Sequence, residues 1–262
     1  MTRRIPKEQT PRARVPEGMG GLAKGLAIIE SLASHEGQLT IAEAAHVTGA
    51  TRASARRCLL TLTELGYLEF DGKFYRPQPR LIRLSASYSM SRPLPQLAQP
   101  ILAQARDALN ESISLGVLDG EHVQFVGRAE AARLVSARVS LGTRAPAHAL
   151  AVGRVLLGAW SDEKLRAYLR QVKPEATTKK SLTGKTQLFD AVRKAQELGY
   201  ALLDEELEIG LRAIAVPVTD SHGLLIAAIG ASTSAARFTA SQMIKEFIPI
   251  LREHAAKLGR GL

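Results

Sequence analysis

Three arginines, Arg52, Arg56 and Arg57, fall within six residues, with Ala53 and Ser54 among them and Thr51 just before. A guanidinium carries a planar fork of donors that pairs bidentately with a guanine edge or clamps a phosphate. The neighbours of these arginines set how the charges are presented. Ala55, Cys58, Leu59, Leu62 and Leu65 recur at a spacing of about 3.6 residues, so they share one face of a helix. Ala53, Arg56 and Arg57 fall on the other side. The pattern predicts an amphipathic helix from Thr51 to Leu65, stopped at Gly66, with cations on its N-terminal turns. Those are the turns that a recognition helix places in the major groove of DNA. The plainer alternative is a solvated basic face on an ordinary surface helix.

The stretch around this helix is built to hold it. Ile41, Ala42, Ala44, Ala45 and Val47 mark a shorter helix before it, and Thr48-Gly49-Ala50 makes the turn between the two. Helix, glycine turn and second helix form a helix-turn-helix. After Gly66 come two β-rich runs, Tyr67–Phe70 and Lys73–Tyr75, around Asp71-Gly72. Asp-Gly supplies the positive φ angles of a two-residue hairpin. The hairpin would be a wing, and its Lys73 joins the DNA-facing set. Leu22 to Leu32 is a preceding helix, expected to bury Leu22, Leu26, Ile29 and Leu32.

At 262 residues the chain fits two domains, taking about 100–200 residues each. Its net charge is +10 with pI near 10. Residues 1–95 hold 14 Lys/Arg against 8 Asp/Glu, and the longer remainder 21 against 17. The excess is therefore densest around the helix-turn-helix, where it would attract a polyanion. One cysteine, Cys58, excludes an internal disulfide and a cysteine-rich metal site. No apolar run approaches the roughly 18 residues of a membrane span. No apolar stretch follows the N-terminal arginines, so no secretory signal is expected, and a cytoplasmic setting is. Residues 1–18 read as a disordered basic arm, 19–78 as the winged helix-turn-helix, 79–95 as a linker helix and 96–262 as a second domain.

The second domain opens with a helix over Gln96–Asn110, with Leu97, Ile101, Leu102, Ala105 and Leu109 inward. Strands follow at Ser112–Leu118, His122–Gly127 and Leu134–Leu141, then helices at Ala147–Trp160, Asp162–Val172 and Thr186–Leu198. Strands at Tyr200–Leu203, Ala213–Val218 and Leu224–Ala231 precede a closing helix, Thr239–Leu258, with Thr239 as its N-cap. Antiparallel strands with helices outside make an α+β domain. No Gly-x-Ser-x-Gly elbow, metal-spaced histidine pair or phosphate loop is present. An enzyme with a DNA-binding appendage, using His148 with Glu205 or Glu206 as acid and base, is thus weakly supported. An architectural protein that compacts DNA does not need so large a second domain.

These motifs, in this order, resemble the IclR family of bacterial transcriptional regulators. The resemblance rests on TIAEAAHVTGATRASARRCLLTLTELGYL, VGRVLL, GYALLDEELEIGLRAIAVPV and AAIGAST. KGLAIIE, LGTRAPAHALAVGRVLL and EELEIGLRAIAVP are similar to the branch that controls aromatic-acid breakdown through β-ketoadipate, the protocatechuate and 4-hydroxybenzoate regulators. The family implies a GAF-like effector domain that binds a small carboxylic acid, a homodimer or dimer of dimers on double-stranded operator DNA, and no cofactor or metal. It implies an effector site drawn from Pro146–Gly153, Leu203–Glu206, Arg212–Ala215 and Gly230–Ser232. The backbone amides of Ala151 and Val152 match carboxylate-binding positions there, where a helix N-terminus offers free N–H groups. Ser232 is a hydrogen-bonding candidate, as are His148 and Arg212, beside Ala213 and Gly230. Two positions depart from the family: Ala50 stands where leucine is usual, and Arg56 where histidine or tyrosine is common. Leu203 replaces a frequent acid, which makes that side of the site more apolar and suits an aromatic ring.

Overall fold

The computed structural model describes residues 18–32, 35, 37–84, 94–132 and 141–262. It divides into two compact units, Met1–Arg92 and Pro93–Leu262. The expected arm, most of the linker helix and the strand at Leu134–Leu141, apart from Leu141, lie outside the described residues. After a 3-10 turn at Pro79–Leu81, residues 82–84 are helical.

The first unit holds α1 (Gly20–Leu32), α2 (Ile41–Thr48), α3 (Arg52–Glu64) and the strands β1 (Leu68–Phe70) and β2 (Tyr75–Pro77). Thr40 and Glu43 form a capping box at the start of α2, and Thr51 caps α3 by accepting the Ser54 N–H. The turn between them is closed by Gly49 at φ +59°, with the Ala50 N–H donating to the Ala45 carbonyl. That left-handed helix end is the geometry glycine adopts without a Cβ clash. Ile28, Leu39, Leu59 and Leu68 are fully buried at the centre of this unit. At about 1.5–3 kcal/mol for each large apolar side chain removed from water, they fix the angle between the helices.

Three local expectations are corrected. In α1 the buried residues are Ile28, Ser31 and the expected Leu32, with Ile29 partly buried against the same core, whereas Leu22 and Leu26 are 60% and 50% exposed. In α3, Leu65 is at the helix end and exposed, and Cys58 is half-buried. The wing loop has four residues, because Phe70 pairs with Tyr75. The Asp71 carboxylate accepts the N–H groups of Lys73 and Phe74 at 2.9 and 2.8 Å, which takes those residues out of the ladder. The second strand therefore starts at Tyr75 and runs into Pro77. Its Tyr75 also bridges Leu39.

The second unit begins with α4 (Leu94–Leu109) and centres on a six-stranded antiparallel sheet. Its strands are β3 (Ser112–Asp119), β4 (His122–Ala129), β5 (Arg144–Pro146), β6 (Ala201–Asp204), β7 (Leu211–Thr219) and β8 (Leu225–Ser234), in the spatial order β5-β4-β3-β8-β7-β6. α4 and the closing helix α8 (Ala240–Gly259) pack on one face around Ile113, Ile214, Ile229 and Phe247. On the other face lie α5 (Ala151–Leu157), α6 (Asp162–Gln171) and α7 (Lys185–Leu198), around Phe125, Val152, Leu157 and Leu188. The inward stripe of α4 is Leu94, Ala98, Leu102, Ala105 and Leu109, and Leu97 is exposed. The helix expected from Ala147 starts at Ala151. Ala147–Ala149 is a 3-10 turn, and a Cβ added at Gly153 would overlap the Ala147 carbonyl.

Candidate DNA-reading and effector sites

α3 presents Thr51, Arg52, Ala53, Arg56 and Arg57 to solvent, while Ala55 and Leu59 anchor its other side. None of the three arginines makes an ion pair among the described residues. Ser54 is held differently: its hydroxyl accepts from the Lys24 ammonium of α1 at 3.3 Å. Lys73 is exposed at the tip of the wing, with its ammonium 4.8 Å from the centre of the Phe74 ring. The unit thus offers unneutralised cations on an exposed helix face, with another on a β-hairpin. That surface can meet a phosphate backbone and a row of base edges.

In the second unit, strand register determines which side chains share the face under α5, because directly paired residues on antiparallel strands point the same way. One row across the sheet is Leu203, Ala213, Ser232 and Ser112. The next is Ala201, Ala215, Gly230, Ser114 and Arg128. A third contains Ala228, Gly116 and Phe125. Small residues dominate this floor. Val152 of α5 sits directly on it: a Cβ built on Gly116 or Gly230 would come within 2.7 and 2.9 Å of its methyl carbons.

The structure therefore brings Ala151, Val152, Leu203, Ala213, Gly230 and Ser232 to one face. Ser232 is half-buried, and its hydroxyl has no hydrogen-bond partner among the described residues. Arg212 is not brought there. It is one residue out of step with Ala213, so strand alternation turns it to the opposite face. Its Nε donates to Asp204 at 2.5 Å and its Nη1 to the carbonyls of Ala235 and Phe238 at 2.8 and 2.7 Å. These bonds tie β7 to the segment leading into α8.

His148 is buried at the end of the 3-10 turn, with Nδ1 2.7 Å from the Tyr168 hydroxyl of α6. Burial pushes its pKa down to about 4, and the charges of Arg154 and His122 push the same way. The ring is neutral at physiological pH, so it offers no cation to an acid.

Several polar residues on or beside this face were not singled out by the sequence reading. Arg154 of α5 donates to the His148 carbonyl through Nε and to both oxygens of Glu206. Thr177, Thr178 and Ser181 donate to carbonyls of Glu205, Glu206 and Leu207, which holds the loop after β6. Glu205 in that loop has φ +59°, a left-handed conformation for a non-glycine residue. Lys180 joins Asp204 and Glu205 at 2.8 and 2.9 Å, and those two carboxylates and the lysine each favour the charged form of the other. Ser112, Ser114 and Gly116 take alternate positions of β3, between Ile113, Leu115 and Val117, and Ser114 among them is paired with Arg128. No group of three or more His, Cys, Asp or Glu among the described residues could hold a metal ion.

Two family models cover this architecture. The model described as bacterial transcriptional regulator IclR C-terminal matches residues 86–260, and the IclR helix-turn-helix domain matches residues 21–72. The chain belongs to the IclR family. This IclR-family chain is a DNA-binding transcriptional regulator with an α+β fold, as its motifs implied. It is 39% identical over 237 residues, 90% of its own length and 81% of the other's, to the Pca regulon regulatory protein of Pseudomonas putida. A transcriptional regulator from Rhodococcus sp. RHA1 shares its fold with a TM-score of 0.79 at 37% identity, covering 91% of this chain and 96% of that one. A double mutant of the inducer-binding domain of the Acinetobacter transcription factor PobR, solved with 3-hydroxybenzoic acid, matches with a TM-score of 0.61 at 30% identity, over 64% of this chain and 98% of that one. No helix among the described residues is long and apolar enough to cross a membrane.

Proposed function

We propose that this IclR-family regulator controls genes of aromatic-acid catabolism and senses a small aromatic carboxylic acid without turning it over. The observation that carries the ligand class is the half-buried Ser232 hydroxyl beside Ala213, Gly230 and Leu203, under Val152. An apolar floor accommodates a ring, and a single unpartnered hydroxyl orients a polar substituent. The likeness to an inducer-binding domain solved with 3-hydroxybenzoic acid supports the same class. Ala151, Val152, Leu203, Ala213, Gly230 and Ser232 contact the effector in this reading.

Operator DNA is read by Thr51, Arg52, Ala53, Ser54, Arg56, Arg57 and Lys73. A homodimer or dimer of dimers in the cytoplasm places two such helices on half-sites about one helical turn apart. The effector acts by binding two arrangements of the regulator with different affinity, since no other property of a ligand shifts an equilibrium.

A thermal-shift screen of aromatic and β-ketoadipate-pathway acids tests this, because a ligand that binds only the folded chain raises its Tm. Aromatic acids should raise it and be recovered unchanged. Ser232→Ala should shrink the shift and leave operator binding without effector intact. Loss of an acid during incubation would instead point to an enzyme.

A further inference from the structure

Arg212 stands one step from the effector floor, on the reverse face of the sheet. Ala213 is paired with Leu203 and Ser232, and in the next row Arg212 is paired with Asp204 and Thr233. The Arg212 side chain is mostly buried and joins two parts of the unit. Its Nε holds Asp204 of β6, which Lys180 also holds, and its Nη1 donates to the carbonyls of Ala235 and Phe238, in the segment between β8 and α8. No other β7 side chain makes a hydrogen bond among the described residues. That segment is gripped from other sides too. Arg237 meets Glu111, just before β3, at 3.3 Å, and the Phe238 ring packs edge-on against Phe247 of α8 with ring centres 5.0 Å apart. Thr239 then caps α8, which packs against α4, the helix that opens this unit. Thr233, directly opposite Arg212, is buried, and its hydroxyl has no hydrogen-bond partner among the described residues. An unpaired buried hydroxyl is costly, so this arrangement carries a penalty that a second one, with Thr233 bonded, would not.

We infer that Arg212 couples the effector floor to the start of α8, and so transmits effector binding without touching the effector. This rests on the proposed sensing of an aromatic acid. A ligand pressed on Ala213 and Ser232 bears on two strands whose next residues, Arg212 and Thr233, lie on the reverse face beside the segment that leads into α8. Close-packed layers do not absorb such a push by gradual deformation, because packed interfaces switch between discrete arrangements. A guanidinium suits the role. Its fork is rigid, and Nη1 commits its donors to two carbonyls, so the bonds register direction as well as distance. The effector then works by preferring one of two placements of α8.

The full-length protein is measured by gel shift on its operator, with and without saturating 4-hydroxybenzoate or protocatechuate, and by calorimetric titration of each acid without DNA. In wild type the acid should change operator affinity by about 5–150-fold, the usual range of coupling between two sites. Arg212→Gln should cut that change to under about 3-fold, while acid affinity and acid-free operator affinity each stay within about 3-fold of wild type. Asp204→Asn, which leaves both carbonyl bonds in place, should keep the response. A full response in Arg212→Gln overturns the assignment, because a strut that only stabilises would lower Tm and leave the response intact. Equal loss of response in Asp204→Asn also overturns it, by placing the coupling in the charge cluster around Lys180. Loss of acid affinity in Arg212→Gln overturns it too, by making Arg212 a support of the effector site itself. Should Arg212→Gln not fold, Arg212→Lys decides, since it keeps a charge beside Asp204 but not a fork that spans two carbonyls: a lost response supports the coupling, and a full one overturns it. A wild type that responds to neither acid defeats the aromatic-acid reading, whereas a responding wild type with an equally responding Arg212→Gln defeats the coupling alone.

Discussion

Arg154 and Glu206 grip each other by two parallel hydrogen bonds, Nη1 to Oε1 at 3.1 Å and Nη2 to Oε2 at 2.5 Å. The arginine side chain is 5% exposed and the glutamate 16%. With the bond from Arg154 Nε to the His148 carbonyl, the pair joins α5, the 3-10 turn before it and the loop after β6. These are three of the segments that frame the proposed effector face. Removing one partner strands a buried charge, which typically costs about 3–5 kcal/mol, whereas replacing both by apolar side chains is often near neutral. Arg154→Ala should therefore lower stability by about 3 kcal/mol in urea unfolding. The double variant Arg154→Met with Glu206→Met should recover most of that loss. A double variant as unstable as the sum of its singles would show that the two residues act independently.

Arg56 is the position where this chain adds a charge to the exposed side of α3. If it reads a base edge, Arg56→Ala should weaken operator binding by about 1–3 kcal/mol and relax preference at one half-site position. Binding to unrelated DNA should change much less. Equal weakening on operator and unrelated DNA, with a shallower salt dependence, would make Arg56 a phosphate contact.

The residues that were legible in the sequence are those whose roles depend on near neighbours. The arginines of α3, the capping threonine Thr239 and the turn glycine Gly49 each act within one helical turn, and the structure gives α3 and these two signals as expected, with Thr40 and Thr51 as further caps. The inward stripe of α1 was misread at Leu22 and Leu26, whose helical spacing is as regular as that of Ile28 and Leu32, while Ile29 and Leu32 do pack on the core. Only the tertiary contact with Leu39 and Leu59 selects between them. The strand after the wing was misplaced because one carboxylate, Asp71, captures two amides, which hydrophobic patterning does not register. Arg128 was invisible for a different reason. Its place beside Ser114 depends on a bulge at Leu115/Gly116 in the β3–β4 pair, and the place of Ser114 beside Gly230 depends on β8, more than 100 residues away along the chain. Arg212 shows the converse: one step of strand register moves a residue from one face to the other.

Gly230 is one of two glycines, with Gly116, over which α5 packs too closely for a side chain. A Cβ on Gly230 would come within 2.9 Å of a Val152 methyl and 3.2 Å of the Ile214 carbonyl, and neither valine nor strand backbone yields easily. Gly230→Ala should cost about 1–3 kcal/mol, the range for overpacking a closed core. It should also weaken effector binding by narrowing the space between Val152 and β8. Adding Val152→Ala should relieve most of the stability cost, and a double variant no more stable than Gly230→Ala would place the strain elsewhere.

His148 makes the second unit sensitive to mild acid. Its pKa is lowered from 6.5 to about 4, first by burial and then by Arg154 and His122. Between those values the unfolded chain holds a proton that the folded chain refuses, so stability falls as pH drops through this window and levels off below about 4. The full difference amounts to about 3 kcal/mol, at roughly 1.4 kcal/mol for each pH unit. His148→Gln removes this titration and leaves the lowered pKa values of Asp204 and Glu205, whose stabilisation is lost at more acid pH, in both proteins. Urea unfolding of wild type and variant at pH 7 and at about pH 4.5 separates the two contributions. The variant should be the less stable at pH 7, through loss of the Tyr168 contact, and should lose less than wild type on acidification. Parallel losses in the two proteins would mean that the buried imidazole picks up its proton without opening the fold.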